Sequence, residues 1–471
     1  MPASPSIRIP FAAIVLAMLP AVLDQTILAT ALPTIAGSLG ELSDVSWVVT
    51  AYVVAAAATT PVWGKLGDRH GRKTLLEASL ALFLLASAAC GLAQGITFLV
   101  AARMVQGVAA GGLMSLAMAS VADLVEPRQR GRYQGYIAAT FAVATIAGPL
   151  LGGLIVEHIG WRWVFYVNLP LGVLALAGLH TRLPAPPVEP REHPLDVGGA
   201  GLLAAATTAL LLACVWGGDR HAWGSATILG LLGAAAALGT LLVLRERRVA
   251  DPVVPLDLLR TRTVGLASAA LFVATATLFS INVFVPLFLQ VTTGATPTEA
   301  GLLLVPAMLG ITLSTNLAGR AIARTGRYRS YPAAGLALMT AGLAILAVVT
   351  GDPSRTTTGV GLAIFGLGFG MVGQVLVVAV QNDVPRTRLG VAMATTTFFR
   401  GLGGAIGAAT LGAVFAARAG DGASPQDVID GVQAVFTVAA PLAAIGLVIS
   451  LFLPHPRPAT TPDTPIQGAA R

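Results

Sequence analysis

Long apolar runs separated by short polar breaks fill this chain, and most runs reach the roughly 20 residues that a helix rising about 1.5 Å per residue needs to cross a bilayer. The pattern predicts helical spans at about 10–32, 46–63, 74–93, 98–124, 134–156, 163–182, 198–217, 225–244, 264–288, 298–322, 331–350, 357–381, 390–416 and 431–453. That is fourteen spans, too many for one cleaved leader to explain. The first run has a single basic residue, Arg8, ahead of it and no small-residue cleavage site before the next run, so it is expected to be retained. The expected fold class is an all-α integral membrane protein.

Composition agrees with the pattern. Charged residues make up 11% of the 471 positions, against about a quarter in ordinary soluble chains. The longest polar stretches are the Pro-rich segment at 184–194, the segment at 245–262 and the Pro/Thr-rich tail after Pro454. None is long enough to hold a catalytic domain, and the tail is expected to be disordered. No P-loop, paired metal-ligand motif or nucleophile constellation stands out, which argues against an enzyme, and neither cofactor nor metal is expected. Cys90 and Cys214 lie within apolar runs, where thiols act as small hydrophobes.

The net charge of +7 is a matter of placement. Of 29 basic residues, 23 fall in the loops on one side of the expected spans or in the termini; Arg162, Arg220, Arg355 and Arg418 fall on the other side, and Arg103 and Arg400 lie within spans. An even number of spans returns the C-terminus to the side of the N-terminus. The positive-inside rule then makes both termini cytoplasmic, and the scattered charge reads as topology rather than as a nucleic-acid surface.

Sliding the chain against itself by 255 positions lays Gly64, Arg69, Gly71 and Arg72 on Gly319, Arg324, Gly326 and Arg327, and Gly135, Gly148 and Gly152 on Gly390, Gly403 and Gly407. Two six-span halves in the same orientation follow, with spans seven and eight inserted between them. The expected units are 1–196, 197–250 and 251–456, with 457–471 as the tail.

Three motifs stand out. They are the loop from Gly64 through Gly67, Asp68, Arg69, Gly71 and Arg72 to Lys73, the stretch Arg103-Met104-Val105-Gln106-Gly107, and Gly148-Pro149-Leu150-Leu151-Gly152-Gly153. Together they resemble the signature set of the major facilitator superfamily. Leu23-Asp24-Gln25-Thr26-Ile27 running to Pro33, Trp161-Arg162-Trp163 running to Asn168-Leu169-Pro170, and Arg400-Gly401-Leu402-Gly403-Gly404 look like the fourteen-helix drug:proton antiporter-2 family. The resemblance covers nearly the whole chain. It implies a major facilitator fold in the inner membrane, acting as a monomer by alternating access and exporting small organic compounds in exchange for protons. Uptake of a nutrient and a non-transporting receptor on the same fold are the competing readings.

Asp68 is an acid among bases, able to accept hydrogen bonds from a facing helix N-terminus or a nearby arginine and so hold two bundles together. The resemblance assigns that partner to the start of span thirteen, near Gly390. The other reading of Gly64, Asp68, Arg69, Gly71 and Arg72 is that they only anchor topology. In the second half Ala323 stands at the place of Asp68. Gly148, Pro149, Gly152 and Gly153 read either as the antiporter motif that the resemblance implies or as small-residue packing with a kink.

Asp24 is the acid placed deepest inside a span; Glu77, Asp123 and Glu299 fall near span ends. Burial favours its protonated form, so proton coupling is one expectation and a permanently paired structural carboxylate the other. Counting residues puts Asp24 about 12 Å below the outer end of its span and Arg103 and Gln106 about 8 and 12 Å below theirs, so the three can share a level. Arg400 is placed near mid-span with no buried acid in its own half, so water, carbonyls or an anionic ligand must serve it, and the resemblance implies a structural role. Asp24, Arg103, Gln106 and Arg400 are the candidate polar residues of a central cavity, and one acid against two arginines speaks against a specialist for multiply charged cations. Asn282, Asn316, Gln374, Gln381, Tyr52, Phe279 and Phe399 are further candidates for the cavity wall.

Overall fold

The computed structural model describes residues 7–39, 42–127, 129–185, 195–218, 220–293, 304–325, 328–349, 355–419 and 424–454. The tail, the Pro-rich stretch from 186 to 194, the start of the tenth span, Glu299, Gly326 and Arg327 lie outside the described residues.

The chain is helical almost throughout: α1 (Arg8–Leu39), α2 (Leu42–His70), α3 (Arg72–Gly91), α4 (Ile96–Leu124), α5 (Arg130–His158), α6 (Trp163–Tyr166), α7 (Asn168–Arg182), α8 (Val197–Trp216), α9 (Ala226–Glu246), α10 (Leu256–Arg260), α11 (Arg262–Thr293), α12 (Val305–Thr325), α13 (Ser330–Val349), α14 (Arg355–Asp383), α15 (Leu389–Ala419) and α16 (Pro425–Leu451). Among the described residues thirteen spans are long and apolar enough to cross a membrane, α6 and α7 counting as one. The remaining expected span, α12, is interrupted by Thr312, Ser314, Thr315, Asn316 and Arg320, which lowers its hydropathy. Of these, Asn316 donates to the Gly135 carbonyl of the first half, while Thr315 donates to the Gly370 carbonyl of α14.

Two differences from the sequence expectation have local causes. The stretch Gly64–Lys73 was expected as a loop, but α2 runs helical to His70 and the chain reverses at Gly71 alone, whose φ of 93° a side chain would strain. The sixth span is broken at Val167, just ahead of Pro170, which lacks the N–H to bond back one turn.

Within the first half α1 packs on α5 and α7, α2 on α4, and α3 on α4 and α7. In the second, α11 packs on α15 and α16, α12 on α14, and α13 on α14 and α16. The halves meet chiefly along α2 with α15 and α5 with α12. The inserted α8 touches α2 and α15 as well as α9. α9 buries only Ile228 and Glu246, so the apolar remainder of its surface suits lipid.

Candidate functional site

The repeat seen in the sequence is reciprocated at the interface. Gly64 of α2 abuts Gly390 of α15, and Gly319, the repeat mate of Gly64, abuts Gly131 of α5, one turn from the repeat mate of Gly390. A Cβ on Gly64 would collide with the Gly390 carbonyl and Ala394, and one on Gly390 with the Asp68 carboxylate. Glycine therefore permits the close approach.

That approach seats Asp68 on the N-terminus of α15. Its Oδ1 accepts from the Gly390 N–H at 2.8 Å and its Oδ2 from the Val391 N–H at 2.9 Å, two of the donors that a helix start leaves unpaired. Arg72 donates to Asp68 Oδ1 at 2.6 Å, pairs with Asp123 of α4 and reaches the Arg386 carbonyl. Arg69 lies 4.0 Å from Asp251, in the segment that follows the inserted helices, and the buried Lys65 pairs with the same carboxylate. Nearby, Arg388 donates to Asp257 at 2.6 Å and holds that carboxyl below its ordinary range.

A second closure at this end was not foreseen from the sequence. Arg130, 3% exposed at the start of α5, donates to the Gln381 carbonyl, to Asn382 Oδ1 at 2.8 Å and to the Ala122 carbonyl. Gln381 in turn donates to the Met118 carbonyl at 3.0 Å, and Asn316 to the Gly135 carbonyl at 3.4 Å. In sequence Arg130 looks like any other loop arginine, so no signal there marked it.

Toward the middle of the first half lies a buried polar cluster. Arg103 Nη1 donates to Asp24 Oδ2 at 2.5 Å and to Gln106 Oε1 at 2.6 Å, and its Nε to the Val48 carbonyl at 3.1 Å. Asp24 Oδ1 accepts from Gln106 at 3.0 Å and from Asn168 at 3.3 Å, and both amides also donate to Ser87 Oγ. Asp24 is fully buried and Arg103 is 1% exposed. The Tyr52 ring lies 4.2 Å from the Arg103 guanidinium carbon.

Between the halves is a cavity of about 1970 Å³, running from Met118, Val377 and Met393 to Gly217, Gly218 and Trp223 of the α8–α9 connection. It is closed at the Asp68 end, and at the other its lining reaches the exposed Gly218, Trp223 and Ala417. Its wall is mostly apolar. Arg400, Tyr52, Phe279, Asn282 and Gln374 line it, as do Gln25 and Thr26, which were not singled out in the sequence although they follow Asp24 directly. Asp24, Arg103 and Gln106 lie behind this wall rather than on it. Phe399 packs on Phe398, with ring centroids 5.6 Å apart. The Gly148–Gly153 motif is divided: Gly148 and Gly152 press on Thr26 and Thr30 of α1, whereas Pro149 and Gly153 face the cavity.

The family model described as Major Facilitator Superfamily matches residues 14–408. The chain belongs to this superfamily. It is similar to an uncharacterised MFS-type transporter of Mycobacterium tuberculosis, at 40% identity over 86% of this chain and 59% of the relative, so it spans somewhat under two thirds of that relative's length. It is also similar to the multidrug transporter protein MdtP of Bacillus subtilis, at 34% identity over 87% of this chain and 75% of the relative. Among solved structures, the human organic anion transporter MFSD10 matches 95% of this chain and 100% of its own at a TM-score of 0.68 and 18% identity. That likeness concerns the fold. With its thirteen described spans the chain is a multi-pass membrane protein of that superfamily.

Proposed function

We propose that this protein is a proton-driven exporter of small organic compounds that works by alternating access. The observation carrying the reading is the cavity between the halves, sealed at one end by Asp68 on α15 and by Arg130 and reaching exposed lining residues, Gly218, Trp223 and Ala417, at the other. Basic residues concentrate at the sealed end, which is therefore the cytoplasmic one, with both termini on that side of the inner membrane, and the conformation is outward-open. The halves 1–196 and 251–456 rock about the cavity, and the pair at 197–250 rides on α2 and α15. Export rather than uptake follows the similarity to a multidrug transporter protein and a multidrug resistance protein of Bacillus subtilis.

Asp24 is the proton carrier in this scheme. Protonation would cancel its charge and release Arg103, so the two protonation states favour different packings of the first half. The driving force suffices, since 100 mV is worth about 2.3 kcal/mol per charge and one pH unit about 1.4 kcal/mol.

The test is transport by purified protein in liposomes under an imposed pH gradient, scored over a panel of drugs and dyes chosen from a resistance screen of expressing cells. Gradient-dependent accumulation of at least one compound, abolished by a protonophore, is expected; accumulation indifferent to the gradient would sink the antiport reading. Orientation is checked separately in intact cells. In a Cys214→Ser background, His70→Cys should resist an impermeant maleimide and Trp223→Cys should react.

A further inference from the structure

Arg400 is the one charged side chain among the described residues of the cavity wall. It sits in α15, half-buried, where the cavity is deep in the bilayer's span. Every arginine close to it in importance has a carboxylate or carbonyl in hand: Arg72 holds Asp68, Arg103 holds Asp24 and Arg130 holds Gln381. The guanidinium of Arg400 makes no ion pair or hydrogen bond with any described residue; only its backbone carbonyl is engaged, accepting from Thr275 at 2.8 Å. The acid that might have balanced it, Asp24, is neutralised by Arg103 behind the wall.

A guanidinium away from bulk water is costly without an anion, and its planar fork matches a carboxylate. Gln374, whose Oε1 is buried without a partner, lines the same cavity and can accept from a donor on the ligand's body rather than from its anionic group. On the side of Arg400 away from Asp68 the same helix offers Gly401, Gly404, Ala408 and Gly412, a wall of small residues that leaves room for a bulky apolar body. We infer that the cargo of this cavity is an amphipathic organic anion whose carboxylate, or a group of like geometry, is held by Arg400 while its apolar body lies along α15. The inference rests on the reading of the cavity as the transport site and makes Arg400 the residue that selects charge.

The experiment is titration calorimetry of the purified full chain in detergent at neutral pH with three matched probes: 1-naphthaleneacetate, 1-naphthaleneacetamide and 1-naphthylmethylamine. Empty micelles are the blank. The carboxylate should bind at least about tenfold more tightly than the amide, and the amine most weakly. Arg400→Gln should bring carboxylate and amide within about threefold of each other by weakening the carboxylate more than the amide, and Arg400→Lys should restore part of the preference. Absence of carboxylate binding to folded wild-type protein, equal binding of carboxylate and amide, or a preference that survives in Arg400→Gln overturns the inference. Because binding needs no gradient, carboxylate selectivity together with gradient-independent transport would count against the antiport reading alone.

Discussion

The ring of Tyr52 lies 4.2 Å from the guanidinium carbon of Arg103 and is also part of the cavity wall. One side chain thus links the cavity to the buried Asp24–Arg103 pair, and a cation over an aromatic face is worth about 0.5–2 kcal/mol depending on desolvation. Tyr52→Phe keeps ring and wall and should transport almost as wild type does. Tyr52→Ala removes about 3–5 kcal/mol of packing, in line with large-to-small aromatic changes, and lets cavity water reach the pair. Thermal unfolding in detergent and pH-driven uptake in liposomes are the measurements. Equal behaviour of the Phe and Ala variants would remove Tyr52 from the coupling path.

Asp68→Asn should shift the protein away from the outward-open state. The fully buried carboxylate receives two backbone N–H groups of α15 and a charge-assisted bond from Arg72, and the amide keeps one acceptor without the charge. Hydrogen bonds to charged groups are worth about 1.5–3 kcal/mol, so roughly a tenfold change in the equilibrium between states is expected. Cys214 provides a native reporter, since it lines the open cavity whereas Cys90 is fully buried. Labelling of Cys214 by an impermeant maleimide from outside should slow in Asp68→Asn, with membrane insertion retained and transport reduced. Unchanged labelling and transport would leave the acid with no part in closure.

The inserted pair reaches the closed end through the segment that follows it. Lys65, 2% exposed in α2, pairs with Asp251, and Arg69 stands 4.0 Å from the same carboxylate. Removing one partner of a buried pair costs about 3–5 kcal/mol. Asp251→Leu should therefore lower the unfolding temperature more than the double change Asp251→Leu with Lys65→Met. Additive losses across that mutant cycle would show that Lys65 does not depend on Asp251.

The span pattern was legible because every bilayer crossing must be helical and apolar, and the repeat because glycines at a fixed offset occupy equivalent crossings of the two halves. Asp68 could be picked out as the acid of a basic segment. Depth along a span was legible too, since residue counts set Asp24, Arg103 and Gln106 at one level, where the structure joins them. What a residue count lacks is the azimuth. It could not tell that Asp24 faces α4 and not the cavity, nor that Gln25 beside it does the opposite. Arg130 was illegible for a different reason: its partners Gln381 and Asn382 are about 250 positions away in the chain, and nothing local distinguishes a lock from a topological anchor.

Asp24→Asn tests the proton carrier. The carboxylate is held by Arg103, Gln106 and Asn168 inside the first half, so its charge is compensated in the outward-open state. A proton arriving there dissolves an ion pair and leaves a guanidinium that must find another acceptor, which a shift of α4 against α1 or α2 can supply. The Asn variant holds the neutral form permanently and should cost about 3–5 kcal/mol of stability by stranding Arg103, while the double variant with Arg103→Met should recover much of that loss. Stability alone would not separate a structural pair from a coupling one. The separating measurement is transport in liposomes: Asp24→Asn should still exchange substrate without a gradient, yet fail to accumulate it when a pH gradient is imposed, and show no substrate-induced proton release. If the variant drives uphill movement as wild type does, the proton travels on another acid. Asp68 and Glu299 are then the carboxyls to change next.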